Sequence, residues 1–333
     1  MDVTSLAKKL IDISSVTGKE KEILLFIEKY LEDNKIDFER IYVSEDRWNI
    51  FAFKGNSDIL LSGHCDTVNS EKHYKSYDKE GKLYGIGSSD MKGGLAGIIN
   101  TFISLDDCNL LVTVGEESGF DGIKAFIDSE FCKKIRYSII AEPTDLTAIG
   151  KQFGLFGFDI SSEGTQRHTS QFKKGNHCGH DLIIALNKAM KDFNEKFPKS
   201  IFSINVLEYG EKRNIIPDIA TCKIDIRISP FDKILEIREF VLEEFKEFNT
   251  KFRYVLEPVS ADEEFESHLF EKNIKLDMKI GFTEMYFFNR VNIKTLIFGP
   301  GLVEQAHKKN EYLPLENLIS YEKKLKELIE NVK

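Results

Sequence analysis

Residues 60–68 read LLSGHCDTV, an apolar run that ends abruptly in a histidine, His64, and an aspartate, Asp66, two positions apart. In an extended chain residues i and i+2 share a face, so a buried strand here offers two polar side chains together at its carboxyl end. The pattern suits a metal-binding imidazole with Asp66 behind it to accept the proton of the other ring nitrogen. A hydrogen-bonded structural histidine is the plainer alternative. The same punctuation recurs along the chain: Glu116 and Glu117 follow LLVTVG, Glu142 follows YSIIA, and His307 follows TLIFGPG. Asp90 lies in YGIGSSDMKGG, between a glycine-rich turn and a helix start, where by itself it reads as an N-cap. By themselves, Glu116 and Glu117 read as a solvated turn.

Around these points the periodicity alternates. Helical spacing of apolar residues covers Thr4–Ile13, Lys19–Leu31, Leu95–Ile103 and Gly122–Ile127. Short β-rich stretches cover Phe38–Val43, Asn49–Phe53, Ile59–Ser62, Leu110–Val114 and Tyr137–Ala141. This βαβα order predicts an α/β fold with a mainly parallel sheet covered by helices on both faces, whose ligands sit beyond the carboxyl ends of the strands. Each polar cluster above stands at such an end. Two histidines with several carboxylates there form a donor set suited to a hydrolytic zinc pair.

From about Gln152 the order changes to β-α-β-β-α-β: strands at Phe156–Ile160, Ile201–Leu207, Thr221–Ile228 and Phe252–Leu256, with helices at Asp181–Lys196 and Lys233–Phe248. That series predicts a smaller α+β, ferredoxin-like domain with two helices on one face of an antiparallel sheet. The last stretch, from Glu264, returns to helix, strand and helix. The reading is therefore a catalytic domain of residues 1–151 and 257–333 interrupted by an inserted domain of residues 152–256.

Length and charge agree with that division and exclude several functions. A chain of 333 residues with 41% apolar content is long for one core. A formal net charge of -9 argues against a nucleic-acid surface, and Lys173-Lys174 reads as solvated loop charge. No apolar run reaches the roughly 18 residues of a membrane helix, and the N-terminus lacks a signal-peptide core, so a soluble cytoplasmic protein is expected. Five scattered cysteines without a CxxC pair fit a reducing compartment. The sequence NHCGH at 176–180 resembles half of a zinc motif, but nothing nearby supplies the other half, and it reads as the lead into a helix.

The segments GHCDTV, YGIGSSDMKGG, VGEESG, AEPTDL, NIIPDIATCKIDIRISP and FGPGLVEQAHKKNEYLPLENL follow one another in the order found in the zinc aminoacylase and metallopeptidase family. The chain resembles that family over nearly its whole length. The family contains acetylornithine deacetylase, succinyl-diaminopimelate desuccinylase, aminoacylases, carboxypeptidases and dipeptidases. The resemblance implies two Zn²⁺ ions, with Co²⁺ or Mn²⁺ as substitutes. His64 and Glu142 would ligate the first metal, Glu117 and His307 the second, and Asp90 would bridge them. It further implies Asp66 as the orienter of the His64 imidazole and Glu116 as the general base. The inserted domain would mediate a homodimer and help recognise substrate, with His168 in EGTQRHTSQF stabilising the oxyanion and Asn214 and Arg227 binding substrate. A salt bridge to a nearby acid is the alternative for Arg227.

Three departures from the family pattern stand out: Ile86 in place of a common arginine, Cys65 between His64 and Asp66, and no proline two residues after Ser170. A thiol at Cys65 is packing material or an oxidation-sensitive group. GFTEMYFF, ahead of the GPG and QAH segment, looks most like the acetylornithine deacetylase branch. Thr283 and Glu284 are then candidates for a substrate wall that suits a cationic side chain, or else a helix cap and an exposed first-turn acid. The resemblance thus implies hydrolysis of a small N-acyl amino acid, acetylornithine first, as in arginine biosynthesis. Succinyl-diaminopimelate, acetylcitrulline, an acetyl-lysine relative and dipeptides are the alternatives. A noncatalytic binding or regulatory homologue is the alternative of another class.

Overall fold

A computed structural model describes residues 1–69, 75–172, 177–261 and 263–332; Lys173 and Lys174 lie outside the described residues. The chain forms two compact units, one of residues 1–150, 261–278 and 283–333, the other of residues 151–260 and 279–282. The return of residues 279–282 to the second unit is too short to carry a periodic signal.

In the large unit the sheet runs in the order Phe38–Ser44, Arg47–Lys54, Cys108–Thr113, Ile59–His64, Tyr137–Ile140, Lys294–Ile297. The last four of these strands are mutually parallel and the first two join antiparallel at one edge, while beyond Lys294–Ile297 the sheet continues antiparallel with Ile149–Gln152. The Ile59–His64 strand is buried at every position, as a central strand covered on both faces must be. Helices Val3–Asp12, Lys21–Asp33, Gly93–Ser104 and Leu315–Val332 contribute to the core of one face with Leu6, Leu10, Ile23, Leu95, Ile99 and Leu325. Val3–Asp12 forms because Val3, Leu6, Ala7, Leu10 and Ile11 fall on one stripe, and because Asp2 caps it by accepting from the Ser5 N–H at 2.9 Å. The Gly93–Ser104 helix presses close to the sheet, since a Cβ on Gly94 would come within 2.2 Å of the Ala141 carbonyl oxygen. Helices Asp121–Ile127 and Met285–Arg290 pack together through Phe126 and Phe288, whose rings are 6.0 Å apart. No helix among the described residues is long and apolar enough to cross a membrane.

A three-stranded ribbon of Tyr77–Lys79, Lys82–Tyr84 and Tyr312–Pro314 completes this unit. Strands of three residues carry too little alternation to be read from sequence.

The small unit is a four-stranded antiparallel sheet in the order Ile201–Tyr209, Ile219–Ile228, Gly154–Glu163, Asn249–Leu256. With helices Cys178–Lys196 and Ile234–Glu244 it has the β-α-β-β-α-β, ferredoxin-like connectivity. Its core is rich in phenylalanine. Phe156, Phe158, Phe193, Phe202, Phe240 and Phe245 are buried, with the Phe158 and Phe245 ring centres 5.9 Å apart. The described part of NHCGH, residues 177–180, begins the first of these helices: His177 accepts from the His180 N–H at 3.3 Å, and the Cys178 thiol donates to the Pro217 carbonyl.

Candidate metal centre

Parallel strands end at one edge, and the polar residues sit there. His64 is the last residue of its strand, with Thr113 beside it in the neighbouring one. Glu116 and Glu117 follow that neighbour through Gly115, whose φ of +72° turns the chain where a side chain would also strike Arg47. Glu142 comes two residues after Ile140, the end of the strand on the other side of His64. Asp90 is in an irregular turn at residues 88–92 that leads into the Gly93–Ser104 helix.

These groups converge. The His64 Nε2 lies 3.3 Å from Asp90 Oδ1, 3.6 Å from Glu142 Oε1 and 4.0 Å from Glu116 Oε2. The His307 Nε2 lies 2.9 Å from Glu117 Oε2 and 3.5 Å from Asp90 Oδ2. Asp90 therefore stands between the two imidazoles, one oxygen toward each. The donor atoms of His64, Glu116 and Glu142 lie within 4.8 Å of one another, and so do those of His64, Asp90 and Glu117.

Asp66 does more than the sequence suggests, and in a different way. The closest acceptor for the His64 Nδ1 is the Asp66 main-chain carbonyl at 2.9 Å, while the carboxylate is 3.6 Å away. A proton on Nδ1 leaves the Nε2 lone pair facing Asp90 and Glu142, the state in which an imidazole ligates a metal. The Asp66 carboxylate instead accepts the N–H groups of Glu116 and Glu117 at 3.1 and 3.3 Å and the Thr17 hydroxyl at 2.7 Å. It holds the loop that carries both glutamates. Thr17 escaped the sequence reading because a threonine in a loop carries no periodic or motif signal. Glu20 and Arg47 brace the same loop from behind: Arg47 donates to both Glu20 oxygens and to Asp121.

The electrostatics are those of crowded anions. Burial, with the Glu142 charge added, holds the Glu116 carboxyl well above the usual carboxylate range. Burial also raises Glu117, against the pull of His307. The Glu117 hydrogen bond lifts His307 to about 9. Burial would lower His64, but Asp66, Asp90 and Glu116 overcome it and hold the imidazole well above its ordinary value. Four carboxylates and two imidazoles so close together ask for positive charge. Separations of 2.9–4.0 Å between donors are also what ligands about 2.0–2.2 Å from a shared Zn²⁺ require. The donor set fits a pair of divalent cations.

Of the other expected residues, Thr283 and Glu284 belong to the large unit, and the Glu284 carboxyl is close enough to feel the charges of His64, Glu142 and Asp66. His168, Asn214 and Arg227 all belong to the small unit. His168 is exposed, with its Nδ1 2.8 Å from the Ser170 hydroxyl. Asn214 is exposed, and its carbonyl accepts from the Thr169 N–H at 2.9 Å. Arg227 has the acidic neighbour weighed in the sequence, its Nε 2.9 Å from Asp225 on the same strand. Thr283 and Glu284 are each only 1% exposed in this structure, which removes the reading of Glu284 as an exposed first-turn acid. Burial pushes the Glu284 carboxyl up to about 7. Thr283 does act locally as a cap, its hydroxyl oxygen accepting from the Met285 N–H at 3.2 Å. Cys65 is fully buried and burial raises its thiol well above the ordinary value, so it is packing material and not a reactive thiol.

The profile of peptidase family M20/M25/M40 matches residues 60–331. An acetylornithine deacetylase of Buchnera aphidicola subsp. Acyrthosiphon pisum is 27% identical over 363 residues, covering 94% of this chain and 95% of that protein. A probable succinyl-diaminopimelate desuccinylase of Staphylococcus aureus is 24% identical over 386 residues, covering 95% and 94%. Among solved structures, a tripeptidase of Staphylococcus aureus superposes with a TM-score of 0.81 at 18% identity, over 99% of this chain and 97% of that one. The chain belongs to peptidase family M20/M25/M40 and is an enzyme, a metal-dependent hydrolase of linear amides.

Proposed function

From that membership we propose that the chain removes the acyl group from an N-acyl amino acid, with N-acetylornithine the leading substrate and ornithine and acetate the products. The observation that carries this reading is the convergence of His64, Asp90, Glu117, Glu142 and His307 with a further buried acid, Glu116. We assign His64 and Glu142 to one metal, Glu117 and His307 to the other, and Asp90 to both, with Zn²⁺ the preferred ion and Co²⁺ or Mn²⁺ as substitutes. When bound, such a pair supplies Lewis acidity, which acidifies water and polarises the amide carbonyl.

The side chains do the rest. Glu116, held by its main-chain bond to Asp66 and raised in pKa by its surroundings, takes a proton from the attacking water on its carboxylate oxygen and returns it to the departing nitrogen. An amine leaves far more readily once protonated. Asp66 keeps His64 and Glu116 in register, since one residue touches the ring nitrogen of the first and the N–H of the second.

Substrate choice rests on the relatives' names more than on the wall proposed around Glu284, because that carboxylate is enclosed. A succinylated diamino acid is the second reading, supported by the desuccinylase relative. We assign His168 to stabilising the oxyanion and Asn214 and Arg227 to substrate contacts, an arginine being suited to a carboxylate, while Thr283, enclosed like Glu284, goes with it to the proposed wall. We also propose a homodimer through the small unit. Ile201–Tyr209 is an edge strand with Ile201, Ile204, Leu207 and Tyr209 exposed, and a second copy can cover such an edge. Free, buried cysteines support a cytoplasmic setting.

The test is metal content and turnover of acetylornithine, acetylcitrulline, succinyl-diaminopimelate and simple dipeptides by wild type and Glu116→Ala. Two metals retained with turnover lowered roughly 10²–10⁴-fold is the expected result. Turnover at the wild-type rate in the variant ends the base assignment, and a preferred substrate other than acetylornithine ends the substrate assignment.

A further inference from the structure

Glu311 follows His307 by four residues, in KKNE, where an acid after two lysines reads as solvated. In the structure it is 3% exposed. Its carboxylate accepts three main-chain N–H groups from the opposite segment: Gly87 at 2.7 Å on one oxygen, and Ser89 at 2.7 Å and Asp90 at 2.8 Å on the other. The same two segments are stitched on either side of this contact. The Gly85 N–H donates to the Glu311 carbonyl at 3.1 Å, the Ser89 hydroxyl donates to the Tyr312 carbonyl at 2.8 Å, and Tyr312 pairs with Tyr84.

A carboxylate that gathers three N–H groups of one turn fixes that turn's path far more tightly than a single bond does. The turn in question ends at Asp90, whose oxygens point at His64 and His307 at 3.3 and 3.5 Å. Glu311 is committed to these N–H groups and is four residues from His307 along the chain. We propose that Glu311 is the positioning residue that fixes the Asp90 carboxylate between the two imidazoles before any metal arrives, by locking the Asp90 turn to the segment that carries His307. This rests on the metal reading given above. Nothing in it requires Glu311 to touch metal or substrate.

Glu311→Gln is the informative variant, because it keeps the shape and one acceptor oxygen but presents an amide N–H₂ where a second acceptor is needed. One main-chain N–H is then left buried and unpaired. In the metal-free wild type, hydrogen exchange at the Gly87, Ser89 and Asp90 amides should be slow. In Glu311→Gln it should be fast at these positions while the Ile59–His64 strand stays protected. Titration with Co²⁺ should show affinity lowered roughly 10–100-fold, the scale seen when a partner of a metal ligand is removed. Glu311→Asp, which keeps the charge on a shorter arm, should fall between the two.

Fast exchange at these three amides in the wild type overturns the inference without any variant, so a misfolded Glu311→Gln does not shield it. Fast exchange in a folded variant with wild-type Co²⁺ affinity reduces Glu311 to a structural contact and also overturns it. Wild type that takes up no Co²⁺ overturns the metal reading itself, a result distinct from either of these.

Discussion

In the large unit the polar groups at positions 64, 90, 116, 117, 142 and 307 meet only because parallel strands deliver distant segments to one edge. In the small unit the strands are all antiparallel to their neighbours, and the interior is rich in phenylalanine rings. The first arrangement leaves strand ends open for chemistry and needs polar side chains there. The second fills its interior with apolar side chains and presents an edge strand with exposed aliphatic residues. One architecture therefore concentrates charge, the other conceals carbon, and the two should respond differently to substitution.

The sharpest way to break this contrast, after Glu116→Ala, is Phe158→Ala. Truncating a fully enclosed ring costs about 3–5 kcal/mol, so denaturant unfolding of the small unit should shift strongly while the metal content of the protein is unchanged. Loss of metal together with the ring would show that the two units do not divide their labour in this way.

Next in size is a pH effect inside the large unit. Glu284 is held near 7 against an ordinary 4.5, so the folded protein keeps this proton at pH values where the unfolded chain has lost it. Its contribution to stability is present below about 4.5 and is lost as pH rises through 7, on the order of 3 kcal/mol. Glu284→Gln has no such proton to lose. Metal-free urea midpoints of the variant should fall less than those of wild type between pH 5 and 8, and parallel profiles would refute the assignment.

The smallest effect concerns a contact made entirely between near neighbours. Asp2→Ala removes the cap of the Val3–Asp12 helix and should cost about 1 kcal/mol in thermal or urea unfolding, with no change in metal affinity. A drop in affinity would mean that the site is coupled even to the fraying end of a helix.

The contrast also explains what could be read from sequence. Amphipathic helices and strands of five residues or more declare themselves by period, and the elements expected at Thr4–Ile13, Ile59–Ser62, Leu110–Val114 and Ile201–Leu207 are found in nearly those positions. The site was legible because a polar residue that interrupts an apolar strand stands out, and because the interruption happens repeatedly. What stayed hidden depends on main-chain atoms or on long reach. No side-chain pattern announces that the Asp66 carbonyl faces the His64 ring, or that Thr17 supports Asp66. Glu311 sits among lysines and looks solvated, because its partners are N–H groups more than two hundred residues earlier. Of the two readings of Glu284, the exposed first-turn acid failed for the converse reason: an acid beside a short helix reads as surface until the fold encloses it.

The discontinuity of the large unit carries a consequence for synthesis. His307 and Glu311 belong to the segment that resumes after the inserted unit, so they leave the ribosome after that unit does. A nascent chain halted before that segment holds only one of the two imidazoles of the site, and its Asp90 turn lacks Glu311, whatever else has folded. Hydrolytic competence would then switch on only once the segment that follows the inserted unit has been made and folded.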